Sequence, residues 1–192
     1  NSIFIDNISE ASGGAIFFMG RNYIQDCIFQ NNFSNHDGGA MYIHSYLEIE
    51  NSLFENNMSN GAGGAIWIDG QDNNNSYILN SDFSGNSSGI QGGAIYMTRA
   101  PEIDFSHSSF INNSAELAGG AIYLATSNNP SMSYTVFGAN SSEESGGAIY
   151  ASNSGTFEGK NLTFTDNSAG ISGSGIYISA PATNILNSIF YK

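Results

Sequence analysis

A tetrapeptide that returns at nearly constant spacing constrains this chain more than any other feature. Gly-Gly-Ala-Ile starts at Gly13, recurs with Met41 in place of Ile at Gly38, returns intact at Gly63, Gly92, Gly119 and Gly146, and degenerates to Gly-Ser-Gly-Ile at Gly173. A second motif, Phe-x-x-Asn, alternates with it: Phe4 with Asn7, Phe29 with Asn32, Phe54 with Asn57, Phe83 with Asn86, Phe110 with Asn113, Phe137 with Asn140, and Phe164 with Asn167. Phe190 opens an eighth copy. The Asn always precedes the first Gly by six residues, whereas the stretch from that Gly to the next Phe runs from 16 to 20. One half of the repeat is therefore rigid and the other accepts insertions. From Phe to Phe the lengths are 25, 25, 29, 27, 27, 27 and 26 residues, which is one supersecondary unit per repeat.

The local period says what that unit is. After each glycine pair an aliphatic residue alternates with an aromatic, as in Ala15 to Phe18, Ala65 to Ile68 and Ala121 to Leu124. Short, β-branched and alternating segments read as strands, and no 3.6-residue period persists long enough for a helix. A second alternating strand precedes each Phe, for example through Leu47 and Ile49 to Phe54, and Ser and Asn clusters separate the strands as turns. Strands this short bury a face only if successive repeats stack about 4.8 Å apart. The expected fold is all-β, a parallel β-helix of about seven coils of 25 to 29 residues in one domain over 1–192, roughly 34 Å long.

Stacking turns every repeated position into a column. Phe4, Phe29, Phe54, Phe83, Phe110, Phe137, Phe164 and Phe190 would form an internal aromatic stack. The small residues two before each Phe, mostly Ser with Cys27, Thr135 and Leu162 as variants, would fill the narrower core beside it; a lone Cys27 reads as core and cannot form an internal disulfide. The column Asn7, Asn32, Asn57, Asn86, Asn113, Asn140 and Asn167 reads as a structural ladder, each inward amide satisfying turn backbone and bonding to the Asn above and below. The glycine pairs fit a tight corner, where a side chain would clash or φ must be positive.

Gly-Gly-Ala-Ile paired with Phe-x-x-Asn resembles the repeat of the chlamydial polymorphic membrane proteins, over essentially the whole chain. That resemblance implies a right-handed hand for the helix and a surface-displayed rod, adhesive or structural, of the kind carried outward by an autotransporter barrel. Related repeats of large secreted or surface proteins share the same features. The resemblance places no catalytic residue on this sequence, and no barrel lies within it.

Charge removes several other functions. With 17 Asp and Glu against 4 Lys and Arg, a formal charge of −13 leaves no basic face for nucleic acid or for an anionic membrane. No apolar run approaches the ~18 residues of a membrane-spanning helix, so direct membrane insertion of this segment is not expected. The chain opens on Asn-Ser-Ile-Phe and closes in the same phase at Asn187 to Phe190, which reads as a piece of a longer array or a unit that stacks end to end. The expected partners are other copies of the chain, end to end or laterally, and a cell-surface protein or glycan; the expected location is extracellular or at the cell surface.

Catalysis is not expected. β-Helices do carry polysaccharide-cleaving enzymes, but those need paired carboxylic acids or acidic Ca²⁺ ligands with a basic residue, and here no Asp-Asp pair occurs. Arg21, Arg99, Lys160, Lys192, His36, His44 and His107 fall at unrelated repeat positions. The acids Glu10, Asp37, Glu116, Glu143 and Glu144 scatter over one turn and read as a solvated rim rather than a calcium site, so neither metal nor cofactor is expected. Eight Asn-x-Ser/Thr sequons occur, and five coincide with the ladder, at Asn7, Asn32, Asn57, Asn86 and Asn140. Asn113 and Asn167 keep the amide although Ala115 and Ala169 destroy the sequon, which favours the ladder there. Asn74, Asn112 and Asn161 remain as candidate glycosylation sites. The candidate binding surface is the outward aromatic column Phe17, Tyr42, Trp67, Tyr96, Tyr123, Tyr150 and Tyr177, whose alternative role is to stabilise the sheet by stacking on itself.

Overall fold

The computed structural model describes residues 1–70, 75–99, 102–126, 129–152 and 155–191. Within them every element is a short strand, each pairing in parallel with the strand one repeat away. The chain is a parallel β-solenoid of about seven turns, with four strands per turn where the sequence pattern marks two. The third coil is representative: Leu53–Glu55, Met58–Ser59, Ile66–Asp69 and Ser76–Leu79. Stacked over the coils these become four sheets. They are a phenylalanine sheet of eight strands, a serine sheet of seven two-residue strands, an aromatic sheet of seven that follows the glycine pair, and a variable sheet of seven that ends the coil.

The extra strands arise because left-handed backbone interrupts what reads as one alternating run. Two residues after each Phe the chain turns at Asp6, Asn31, Asn56, Gly85, Asn112, Ala139 or Asp166, and three before it at Asp26, Asn51, Asn80, His107, Tyr134, Asn161 or Asn187, all at positive φ. Asn, Asp and Gly tolerate that conformation best, which accounts for most of both sets. Phe54 therefore lies on its own strand, beyond the corner at Asn51, and not on that of Ile49.

The two glycines of each pair have different duties. The first sits at φ +66° to +72° in all seven coils. The second has ordinary φ but no room: a Cβ on Gly93 would lie 2.0 Å from the Gly120 carbonyl oxygen and 2.5 Å from that of Ser114. The backbones of successive corners thus approach as closely as glycine allows.

The core is one continuous apolar column, in which Phe29, Phe54, Phe83, Phe110 and Phe137 are fully buried beside Ile49, Ile66, Ile95 and Ile122. From Phe4 to Phe190 the rings of the phenylalanine sheet stack at 4.5–5.2 Å within 10° of parallel. Strand spacing and the favourable ring separation nearly coincide, so one geometry satisfies both backbone and side chain. Phe190, in the eighth strand, is half exposed.

Candidate functional site

The asparagine column is buried, with Asn32, Asn57, Asn86, Asn113 and Asn140 at 0% exposure. Asn57 Nδ2 donates to Asn86 Oδ1 at 3.0 Å and to the Phe29 carbonyl at 3.0 Å, while the Asn57 backbone N–H donates to the same Asn86 Oδ1 at 2.9 Å. The pattern repeats from Asn7 to Asn167. In the interior coils both amide protons and the amide oxygen are used, so Nδ2 has no capacity for a glycan. Asn112 sits one residue earlier, exposed at a left-handed corner, and Asn161 is half-buried at the other corner; Asn74 lies outside the described residues, as does Lys192.

A second ladder is not visible as such in the residue pattern. The column of small residues before each Phe does more than fill space. Ser52, Ser81 and Ser108 donate through Oγ to the carbonyl two residues back, and Oγ of Ser52, Ser81 and Ser108 accepts the backbone N–H of Cys27, Ser52 and Ser81 one coil before. Thr135 keeps the donor half of the pattern, and Cys27, buried, points its thiol at the Gln25 carbonyl. The signal available in the sequence was hydroxyl identity at a column where Ala would fill the same space.

The outward aromatic column forms a single stack. Phe17, Tyr42, Trp67, Tyr96, Tyr123, Tyr150 and Tyr177 follow one another at 4.2–6.1 Å, within 8° of parallel, on paired residues of the aromatic sheet. Except for Phe17, which is 54% exposed, the members are half-buried. Interior rings cover each other's faces, so the stripe offers edges and phenol oxygens to the outside. Burial is the leading cause of the raised pKa of Tyr96, Tyr42 and Tyr150, reinforced by Asp37 and Asp69 near Tyr42 and Tyr96 and by Glu144 near Tyr150.

One charge cluster joins three consecutive coils through residues of different type: His44 and Asp69 hold the same position, six residues after the first Gly, and Arg99 the one after it. Asp69, 1% exposed at the end of its aromatic-sheet strand, accepts Nε and Nη2 of Arg99 in a bidentate pair from the next coil, and His44 Nδ1 of the preceding coil lies 3.3 Å from Asp69 Oδ2. Three consecutive coils are thereby clipped together. Asp37, placed by sequence in the solvated rim, accepts the Ala62 backbone N–H at 2.8 Å, and Glu10 accepts from Asn35. Among the described residues no group of three or more His, Cys, Asp or Glu is arranged to hold a metal ion, and no helix is long and apolar enough to cross a membrane.

The variable sheet differs in kind. One outward column reads Tyr23, Glu48, Tyr77, Asp104, Ser131, Glu158, Asn184; the other reads Gln25, Glu50, Leu79, Ser106, Ser133, Lys160, Leu186. No residue type persists for more than two coils. The Tyr46 phenol donates to Glu48 Oε2 at 2.6 Å, and this hydrogen bond is the main reason its pKa rises to about 12.

The residue pattern and the observed coil now meet a family description: residues 14–190 match the model for the right handed beta helix region. The chain belongs to the right-handed β-helix family. No curated protein and no solved structure matches it. Membership fixes the hand of this β-helix and accounts for the parallel pairing of every strand.

Proposed function

We propose that this β-helix is a non-catalytic extracellular or cell-surface rod with a structural or adhesive role. The observation that carries the reading is the commitment of the asparagine ladder and both aromatic columns to holding coil on coil, with hydrogen bonds continuous from Asn7 to Asn167 and ring stacks from Phe17 to Tyr177. Such a molecule has little to gain from a moving part and much from a long, stiff, patterned surface. Net charge of −13 keeps it soluble and directs it away from nucleic acid. The paired Gly-Gly-Ala-Ile and Phe-x-x-Asn motifs support a finer version, an adhesin passenger akin to the polymorphic membrane protein repeats.

Partners on this reading are a cell-surface protein or glycan, or further copies of the chain. An end-to-end contact that continued the glycine corner would have to accommodate Ser174, which stands where the six preceding coils hold Gly14, Gly39, Gly64, Gly93, Gly120 and Gly147. Extracellular display from a eukaryotic source would place glycans on Asn112 and Asn161, clear of the ladder.

The test is to coat beads with the purified rod and measure adhesion to whole cells, alongside intact-mass analysis of the native protein. Retention of beads on the cells is the expected result, with added glycan mass where the source is eukaryotic. Release of reducing sugar or unsaturated uronide from a polysaccharide panel would refute the non-catalytic reading.

A further inference from the structure

The outsides of the phenylalanine and serine sheets change character along the rod. On the phenylalanine sheet one outward column reads Ile3, Ile28 and Leu53, then Asp82, Ser109, Val136 and Thr163. On the serine sheet the outward column reads Ile8, Phe33 and Met58, then only serine, at Ser87, Ser114, Ser141 and Ser168. Ile28, Phe33, Leu53 and Met58 face away from the core, since they alternate with buried Phe29, Ser34, Phe54 and Ser59. Met58 is 45% exposed. Nothing in the coil demands apolar side chains there, because later coils pair in the same register with Asp or Ser at the same places. Two contiguous apolar columns confined to three coils mark an interaction surface.

The charges around them are of one sign. Asp6 and Glu55 lie between the two columns, at the corner, and Asp26 and Glu10 stand at their outer margins. Three of these carboxylates are held by neutral amides. Asp6 Oδ1 accepts Asn31 Nδ2 at 3.1 Å, Glu55 Oε2 accepts Gln30 Nε2 at 2.9 Å, and Glu10 accepts from Asn35. Among the described residues neither sheet carries a Lys or Arg: Arg21 and Lys160 stand on or beside the variable sheet, and Arg99 follows an aromatic-sheet strand. No ion pair among the described residues reaches any of the four carboxylates.

Apolar columns with uncompensated carboxylates between and beside them are complementary to one kind of surface. The occupant must bring aliphatic side chains together with Lys or Arg. A second copy of the chain would bring the same acids to the same places, and an anionic lipid surface would be repelled. We propose that this face of the first three coils docks a partner protein through a basic amphipathic segment, its aliphatic residues covering Ile28, Phe33, Leu53 and Met58 and its cations meeting Asp6 and Glu55. The proposal rests on the rod reading and deepens it, giving the adhesive surface a place and a partner chemistry.

The experiment is isothermal titration calorimetry of the whole chain with a peptide of three Leu-Leu-Lys-Lys repeats. Salt is held at about 150 mM, where diffuse attraction between exposed charges is largely screened. Counterpart peptides replace every Leu by Ser or every Lys by Glu. The expected result is saturable binding of the parent peptide at one site, weakened at least tenfold by either replacement. The combined variant Ile28→Ser, Phe33→Ser, Leu53→Ser and Met58→Ser installs what Ser109 and Ser114 already supply in these columns, and should lose binding at least tenfold. Glu55→Gln, which keeps the side-chain shape, should weaken it about threefold and guards against misfolding of the combined variant. No binding, equal binding of the Ser-Lys peptide, or undiminished binding by both variants would each overturn the docking face; retention of beads on cells would then leave the rod reading standing. Peptide binding by a protein whose beads are not retained would support the face and refute the adhesive role. A dimer seen by sedimentation velocity, and abolished in the combined variant, would give the face to a second copy and overturn the basic partner.

Discussion

The aromatic sheet and the variable sheet are built from the same parallel pairing at the same spacing, yet one repeats a ring in every coil and the other repeats nothing on its outside. The difference follows from what flanks them. The aromatic sheet is entered through a stretch of invariant length, six residues from Asn to Gly, in which the buried amide, the left-handed Gly and the close-packed second Gly leave no freedom of length. The variable sheet lies in the half that runs from 16 to 20 residues, where the number of residues between one strand and the next differs from coil to coil. Identity along a column is the outcome of geometric obligation. Where inward residues alone maintain the stack, outward residues are released to differ, and a surface that differs from level to level can recognise something.

The sharpest way to break this contrast is at the corner. Gly93→Ala puts a methyl 2.0 Å from a carbonyl oxygen that cannot move without moving the next coil, so the expected cost is about 4 kcal/mol or outright failure to fold. A chemical denaturation midpoint close to wild type would show that the corners are looser than described. Next comes Asn86→Ala. It removes the acceptor shared by the Asn57 backbone and side chain and the donor to the Phe54 carbonyl, all buried, and should cost about 2–4 kcal/mol. Tyr123→Ala, which interrupts the outer stack between Tyr96 and Tyr150, should cost about 1–2 kcal/mol. On the variable sheet Ser131→Ala should change stability by no more than about 0.5 kcal/mol by the same measurement. If Ser131→Ala proved as costly as Tyr123→Ala, the division of labour between the two sheets would be wrong.

The smallest effect is a titration. Tyr46 has a folded pKa of about 12 against the ordinary 10.0, so the folded state holds that proton more tightly than the unfolded chain does. The resulting stabilisation is present below pH 10 and is lost as pH rises from about 10 through about 12. Ultraviolet difference spectra should show Tyr46 among the last tyrosinates to appear, and Tyr46→Phe should lower the amplitude of that late phase by one tyrosine. The ionisation of Tyr96 is also delayed, chiefly by burial, but without a carboxylate hydrogen bond.

Much of this architecture is legible in the residues because obligation leaves identity behind. Phe, Asn, Gly and the outer aromatic each recur at one place per coil, and recurrence alone marks the columns. What escapes is whatever the coil satisfies by more than one residue type. The left-handed corners accept Asn51 and Asn80 but also His107, Tyr134 and Ala139, so no motif announces them and the strands they divide read as one. The meeting of Asp69, Arg99 and His44 escapes for a related reason: His44 and Asp69 hold the same position in successive coils and Arg99 the next position along, but the residue type changes each time, so no recurrence marks the column.

The asparagine ladder has a final consequence. In every rung Nδ2 of one coil donates to Oδ1 of the next, never the reverse, from Asn7 through Asn167. Amide dipoles so aligned reinforce one another in the dry interior. The molecule therefore carries an internal arrow: its head and tail are electrically distinct even where the outside repeats, and anything that meets the rod along its axis meets a polarity that the surface pattern alone does not betray.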